Sequence, residues 1–191
     1  ESDKRIGTTE QIVIRDGLFT RFDALNTLPM AEIKISIFEA STRVAASPEK
    51  LFAFHVDPKN LTVVMPPTLR LVRLITEGPA AEGREIELHC HDLWVIPMRW
   101  VCRWKTVSPP HLLVDEIVKG PFRFFTHEHH FETDAKGVTT MRDRVSYAFG
   151  SGVLGHLISE TVIRAYLTIL FAFRHHRTRR WAAGSGGTSG S

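Results

Sequence analysis

The stretch GVLGHLISETVIRAYLTILFAFRHHRTRRW, residues 152–181, sets the interpretation of the whole chain. Its apolar residues recur at the three- and four-residue spacing of a helix, and between Val162 and Phe173 only Arg164 and Thr168 interrupt them. The recurring positions are Val153, Leu154, Leu157, Ile158, Val162, Ala165, Ile169 and Ala172. A helix that is apolar nearly all round must be covered on most of its circumference. We therefore expect the strands of residues 33–149 to wrap it.

The length of the apolar run and the net charge argue against two partners, a membrane and a nucleic acid. The unbroken apolar run falls far below the roughly 20 residues that a bilayer requires, so no stable membrane insertion is expected. With 24 basic and 21 acidic residues the net charge is only +3, which does not indicate a nucleic-acid-binding protein. We interpret the arginines near the end of the stretch as cations at a helix C-terminus, with contact to an anionic surface as the alternative. They are Arg174, Arg177, Arg179 and Arg180.

The two cysteines, Cys90 and Cys102, are too few for a disulfide framework or a zinc site. We interpret them as buried free thiols, which act as small apolar side chains. The chain does not open on an apolar segment preceded by a basic region, as a signal peptide would. The expected location is therefore the reducing cytoplasm.

We divide the chain into three parts. Residues 1–29 are an N-terminal extension, native or added for expression, in which Gln11–Asp16 could form an edge strand and Leu18–Leu25 a short helix. Residues 30–182 are the folded domain, and Met30 stands directly before its first clear strand. Residues 183–191 have the composition of a Gly/Ser linker or tag remnant.

The folded domain begins with a strand at Ile33–Val44 and two short helices. Ser47-Pro48 and Asp57-Pro58 each place a capping side chain before a proline at the first helical position, and Pro66-Pro67 must end the second helix. Six strands with turn residues between them follow. They are Leu69–Thr76, Arg84–His91, Arg99–Val107, Leu112–Lys119, Phe122–Glu132 and Val138–Ala148, with one of the breaks at Ile96-Pro97.

No helical pattern separates these strands, so they should form an antiparallel meander. The long terminal helix is the only element large enough to bury one face of such a sheet. The predicted fold is therefore α+β: a curved antiparallel sheet of about seven strands wrapped round a long C-terminal helix, with two short helices after the first strand.

Alternation along the strands assigns the inward-facing side chains. Arg142 and Arg144 mark the solvent face of the last strand, which turns Asp143 inward. The inward sets are Trp100, Cys102 and Trp104; Phe125, His127, His129 and Phe131; and Thr139, Met141, Asp143, Val145 and Tyr147. A largely aromatic lining with a few convergent polar groups is typical of a small-molecule cavity. The alternative is a packed core in which His129 and Asp143 satisfy one another.

The order of elements and several motifs resemble one superfamily over about three quarters of the chain. The residues that carry the resemblance are Ser47 to Phe52, Asp57 to Leu61, Pro66-Pro67, Asp115-Glu116, Gly120 to Arg123, Phe125 to His129 with Phe131, Gly137, Asp143 to Val145, Tyr147, Gly152, Leu154-Gly155 and Phe171 to Arg174. Together they are similar to the SRPBCC (START / polyketide cyclase / birch-pollen-allergen-like) helix-grip superfamily. The similarity is greatest to its bacterial "cyclase/dehydrase" branch.

The resemblance implies that a lipid-, sterol- or polyketide-like ligand binds between the sheet and the long helix. The residues expected to line that site are Trp100, Trp104, Phe125, His127, His129, Phe131, Met141, Asp143, Tyr147, Val162 and Tyr166. The first alternative is a cyclase or dehydratase in which His129, oriented by Asp143, acts as the general base and His127 or Tyr147 donates to an enolate. The second is a non-catalytic scaffold with a filled core.

A metal site is a further hypothesis, because His127-Glu128-His129 turns two imidazoles to one side of a strand. The sequence shows no third convergent ligand, so no metal and no other cofactor is expected. Alternation turns His89 and His91 outward with Glu87, and we interpret His175 and His176 as surface residues. An exposed first strand at a sheet edge would allow pairing, so the chain is expected to be a monomer or a homodimer.

Overall fold

A computed structural model describes residues 12–15, 18–21, 32–93, 95–135 and 137–184. A small three-stranded antiparallel sheet comes first, formed by β1 (Ile12–Arg15), β2 (Leu18–Arg21) and β3 (Ile33–Lys34). The helix predicted for Leu18–Leu25 is wrong over its first four residues, because they pair with β1 as a strand. The rest of that segment lies outside the described residues.

The main sheet has seven strands and is antiparallel throughout. Its members are β4 (Ser36–Val44), β5 (Leu69–Thr76), β6 (Glu85–Asp92), β7 (Ile96–Ser108), β8 (Leu112–Lys119), β9 (Phe124–Thr133) and β10 (Thr139–Ala148). The order across the sheet is β4-β10-β9-β8-β7-β6-β5. Six strands therefore form the predicted meander, and β4 joins it beside the last one.

Two boundaries differ from the sequence prediction. The strand expected at Ile33–Val44 is divided between β3 and β4, which belong to different sheets. The break expected at Ile96-Pro97 does not occur, because β7 already begins at Ile96. Proline is tolerated there because it lies in the first residues of the strand.

The predicted short helices are present between β4 and β5. Helix α1 (Pro48–Val56) begins with proline, and the Lys50 amide donates to the Ser47 hydroxyl at 3.3 Å. A 3₁₀ turn (Pro58–Asn60) follows, capped by the Asp57 carboxylate, and continues into α2 (Leu61–Val64). These helices connect the two edge strands of the sheet and cover one end of its inner face.

The long helix comprises α3 (Gly152–Ile158), a π turn (Ser159–Ile163) and α4 (Arg164–Gly184). It extends past Trp181, so the arginines from Arg174 to Arg180 do not lie in its last turn. Their interpretation as cations at the helix C-terminus is therefore wrong. Two of them donate to neighbouring elements instead: Arg177 to the Val63 carbonyl and Arg179 to the Thr42 hydroxyl.

The apolar stripe that predicted a wrapped helix mostly faces outward. Val153 is 81% exposed and Ile169 is 73% exposed, and no described residue covers this side. The buried side of α4 instead carries Leu167, Phe171, His175, Thr178 and Ala182. The expectation that the sheet covers most of the circumference was wrong, because the inner side includes polar residues that pair with groups on the sheet.

By length and composition the 33 residues Gly152–Gly184 are sufficient to cross a membrane, contrary to the expectation from the uninterrupted apolar run. Length and composition alone are weak grounds for a membrane span, since the core helix of a soluble protein meets the same criteria. In this fold the helix packs against the sheet and buries His175 and Thr178 there.

The core has two apolar clusters under the sheet. One joins α1 to the strands through Leu51, Phe52, Phe131 and Met141. The other joins α4 to the strands, and its members are Phe38, Val145, Tyr147, Leu167 and Phe171. Tyr147 also donates its hydroxyl to the Ser159 carbonyl at 3.0 Å, which fixes the π turn to β10.

Replacing Gly155 by alanine tests how closely the long helix packs on the loop before it. A Cβ atom there would lie 2.7 Å from the carbonyl carbon of Gly150, which is backbone that cannot move aside cheaply. We expect Gly155→Ala to lower the free energy of unfolding by about 1–3 kcal/mol in urea denaturation. Gly184→Ala is the control, because no atom of the described part of the chain lies within 4 Å of its added Cβ. Equal stability of the two variants would contradict this packing.

Candidate functional site

A cavity of about 470 Å³ lies between the concave face of the sheet, the short helices and the long helix. Its wall is mostly apolar, with contributions from Phe54, Leu88, Trp100, Phe125 and Leu170. Both cysteines line it and are free thiols, as expected. Burial raises the pKa of Cys102, which keeps that thiol protonated and apolar in character.

The cavity brings together seven of the eleven side chains expected to line a ligand site. Those on its wall are Trp100, Trp104, Phe125, His127, His129, Val162 and Tyr166. The other four, Phe131, Met141, Asp143 and Tyr147, are buried but do not line it. Alternation predicted correctly that these four side chains face inward. Contacts with the helices place Phe131, Met141 and Tyr147 in the packed core, and Asp143 lies behind the histidines.

A row of polar residues crosses the sheet at this wall, with Asp115, His127 and His129 lining the cavity and Asp143 behind them. Asp115 on β8 lies opposite His127 on β9, and Asp143 on β10 lies opposite His129. His127 donates through Nε2 to Asp143 Oδ1 at 3.0 Å, while its Nδ1 lies 3.5 Å from Asp115 Oδ2. The register of three strands therefore places two carboxylates against one imidazole.

The contact between His129 and Asp143 is close but poorly aligned. His129 Nδ1 lies 2.6 Å from Asp143 Oδ1, yet this buried nitrogen has no hydrogen-bond partner with acceptable angles. We interpret the contact as electrostatic, because a hydrogen bond weakens steeply when the donor does not point at the acceptor. His129 and Asp143 therefore lie close together, as predicted, but the aligned hydrogen bond to Asp143 Oδ1 comes from His127.

The sequence interpretation missed His175, which is buried rather than on the surface. Its Nε2 donates to Asp143 Oδ2 at 2.6 Å. The missed signal was helical spacing, because His175 follows Leu167 and Phe171 at intervals of four on the buried side of α4. His176, one residue further on, is exposed as expected.

The electrostatics of the cluster give its members different charges at neutral pH. Burial alone would raise the pKa of Asp143, but His129, His127 and His175 outweigh it and hold that pKa well below its ordinary value. Burial would likewise lower the pKa of His127, yet Asp115 and Asp143 together raise it. Burial and the neighbouring His127 lower the pKa of His129 to about 4, which leaves His129 neutral.

His55, on α1, is a second neutral imidazole on the cavity wall. Burial, reinforced by His129, lowers its pKa to about 3. Its Nδ1 lies 2.8 Å from the Leu51 carbonyl, which can only accept, so Nδ1 carries the proton. The Nε2 atom of the neutral ring is then an acceptor. Its ring centre lies 5.0 Å from that of His129.

Among the described residues that line the cavity, Arg174 is the cation whose charge does not depend on pH in the ordinary range. Burial lowers its pKa, but a guanidinium keeps its proton in proteins. Its Cζ atom lies 5.5 Å from the ring centre of Phe171. The sequence interpretation placed it in a basic surface cluster, whereas the structure turns it toward the cavity.

The sequence profile of one protein family, described as polyketide cyclase / dehydrase and lipid transport, matches residues 37–180. The chain belongs to this family. The match covers the main sheet, the short helices and most of the long helix, so it includes every side chain of the cavity described above. It confirms the superfamily that the sequence motifs indicated. No curated protein sequence matches the chain at a significant level.

Several solved structures have the same architecture as this chain. Norcoclaurine synthase of Thalictrum flavum has a TM-score of 0.63 at 13% identity, covering 83% of this chain and all of that one. The di-domain ARO/CYC protein StfQ of the steffimycin pathway has a TM-score of 0.64 at 13% identity, covering 81% of this chain and 53% of that one. Ara h 8.0201 has a TM-score of 0.55 at 16% identity, covering 75% and 97%. At these identities the likeness shows the shared fold alone.

A metal ion is the other occupant that the polar row could accept. Asp115, His127 and His129 present possible ligand atoms that all lie within 4.8 Å of one another, and zinc and iron use these ligand types. Asp115 is the third ligand that the sequence did not reveal. The ion pair between Asp115 and His127 accounts for the same geometry without a metal.

Asp143 holds the polar cluster together, and its replacement by asparagine should be costly. Asp143→Asn removes the buried anion that two strands and α4 share and replaces one of its two acceptor oxygens by an NH2 donor, so His127 and His175 can no longer both donate to it. We expect the free energy of unfolding to fall by about 3 kcal/mol or more. Glu128→Gln is the control: its carboxylate also contacts a histidine, His130, at 2.9 Å, but on the outer face. That change should cost less than about 1 kcal/mol, and similar losses in urea denaturation would contradict a special role for Asp143.

Proposed function

We propose that this protein binds a small hydrophobic ligand in the cavity between the sheet and the long helix. The observation that carries the proposal is the cavity itself, at about 470 Å³ and with mostly apolar walls. Its volume falls within the usual range for sites of drug-sized molecules. Membership of a family whose description includes lipid transport supports the same reading.

The cavity favours a binding function over a scaffold with a filled core. Protein interiors are packed about as densely as organic crystals, with few voids larger than one water molecule. Here Trp100, Phe125 and Leu88 border open space. A fold that acted only through its surface would gain stability by filling that space.

Catalysis is the second candidate, and the polar cluster is the observation that favours it. His129 is neutral on the cavity wall and lies beside Asp143, so it could accept a proton from a bound carbonyl compound. The same environment limits it, because a base whose conjugate acid has a pKa of about 4 is weak at neutral pH. Tyr147 cannot serve as the proton donor proposed from the sequence, since its hydroxyl is bonded to the Ser159 carbonyl away from the cavity. Binding is therefore the first choice.

The binding proposal is tested by native mass spectrometry of freshly purified protein beside its denatured mass. We expect an added mass that disappears on denaturation. Leu88→Trp, which fills the cavity, should reduce the bound fraction several-fold. Val95→Trp, at a position 76% exposed and away from the wall, should not. Only apo protein, or equal occupancy in both variants, would contradict the proposal.

The catalytic alternative is tested by proton exchange. The methyl ketone 2-acetylnaphthalene is apolar and has an enolisable methyl group, so a general base in the cavity should speed its deuterium uptake in D₂O. His129→Asn should reduce the enzyme-dependent rate about 100-fold or more, whereas His130→Asn, on the outer face, should leave it unchanged. Exchange no faster than in buffer, or unaffected by His129→Asn, would exclude this role.

A further inference from the structure

We infer that the bound ligand is an anionic amphiphile, with a carboxylate or similarly charged oxygen group held by Arg174 and a hydrophobic body in the apolar part of the cavity. The inference rests on the proposed binding function. It adds the chemical class of the ligand and the end of the cavity that holds its charge.

Arg174 is the arginine of the long helix that lines the cavity, and it has no polar partner among the described residues. Arg164 donates to the Ile37 carbonyl, Arg177 to the Val63 carbonyl and Arg179 to the Thr42 hydroxyl. Arg180 is exposed to solvent. Among the described residues, no hydrogen bond or ion pair is formed by the Arg174 guanidinium, which lies by the Phe171 ring.

The nearby carboxylates are already engaged. Asp143 faces three imidazoles, with His127 and His129 at Oδ1 and His175 at Oδ2. Asp115 faces Nδ1 of His127. Both influence the charge of Arg174 from a distance, but neither contacts it within 4 Å. Arg174 is half-buried, and a charge partly removed from water is stabilised by a partner of opposite sign, which the described residues do not provide within 4 Å.

Two neutral imidazoles border the same part of the cavity. His55 and His129 line the cavity together with Arg174, and its positive charge contributes to the lowered pKa values of both. His55 offers an acceptor nitrogen, as its other nitrogen is bonded to Leu51. A head group here would meet the fixed cation of Arg174 and two uncharged rings, while the Asp115 carboxylate on the same wall is paired with His127. This combination favours a head group with a negative charge and does not require that the head group also carry a positive one.

The apolar residues of the wall determine the body of the ligand. Leu88, Met98, Trp100, Phe122 and Leu170 offer no charge and little hydrogen bonding. Cationic ligands are disfavoured because they would place a second positive charge beside Arg174. Uncharged sterols or hydrocarbons would leave the guanidinium without a partner. A molecule with one anionic end and an aliphatic or aromatic body satisfies both parts of the cavity.

The test compares acids with amides of the same shape. Isothermal titration of the full chain uses two pairs of probes, octanoate with octanamide and 2-naphthoate with 2-naphthamide. Wild-type protein should bind at least one acid tenfold or more tightly than its amide, because charge-assisted hydrogen bonds are the stronger ones. Arg174→Gln should bring that ratio close to one while changing amide affinity less than threefold. Arg180→Gln, an exposed control on the same helix, should retain the wild-type ratio.

Arg174→Lys is a second variant that distinguishes loss of the guanidinium from loss of the fold. It keeps the charge but not the two-pronged geometry, so it should restore part of the acid preference, and thermal melting checks that each variant is folded. An acid preference that survives in Arg174→Gln would overturn the inference. Amide binding in wild type without any acid preference would overturn it too, while leaving the proposed binding function intact. Failure of all four probes would also overturn it, and the native mass measurement then decides the binding function separately.

Discussion

The structure depends on one buried anion, Asp143, which three histidines from two elements surround. His127 and His129 on β9 approach one carboxylate oxygen, and His175 on α4 approaches the other. Isolated, such a charge would not persist in the core, because removing a carboxylate from water costs several kcal/mol or more. The cluster therefore couples the position of α4 to the register of β9 and β10. Apolar packing alone would tolerate small sliding of a helix across a sheet, whereas a shared charge does not.

The fold and the polar half of the site followed from simple sequence rules. Capping residues before proline predicted α1, and turn residues between alternating segments predicted the meander. Alternation alone placed His127, His129 and Asp143 on one face, because a strand has only two faces to choose between. The cross-strand partner Asp115 was not foreseen, since no local rule gives the register between two strands. Only the assembled sheet places it opposite His127.

The long helix was predicted with less accuracy, and the reason is physical. The largest apolar residues were assumed to face inward, but Val153, Leu154 and Ile169 are exposed. The inner side instead combines Leu167 and Phe171 with His175 and Thr178. Some polar residues are buried because they pair with a group on another element. A hydrophobicity pattern cannot identify such residues, since the partner is distant in sequence. The same assumption assigned Arg174 and His175 to a basic surface end.

Arg174 and His175 are adjacent in sequence but have different roles on the helix. Successive residues on an α-helix point about 100° apart, so a helix resting on a curved sheet can present one to the strands and the next to the open space beside them. His175 binds the sheet through Asp143, and this contact sets the rotation of α4 about its axis. With that rotation set, Arg174 faces the cavity, where its guanidinium lies by the Phe171 ring and no described residue pairs with its charge. The hydrogen bond of His175 to Asp143 thus fixes the direction in which Arg174 points. A side chain that is oriented before any ligand arrives loses less conformational entropy on binding, which is the physical advantage of carrying the cation on the best-anchored helix of the fold.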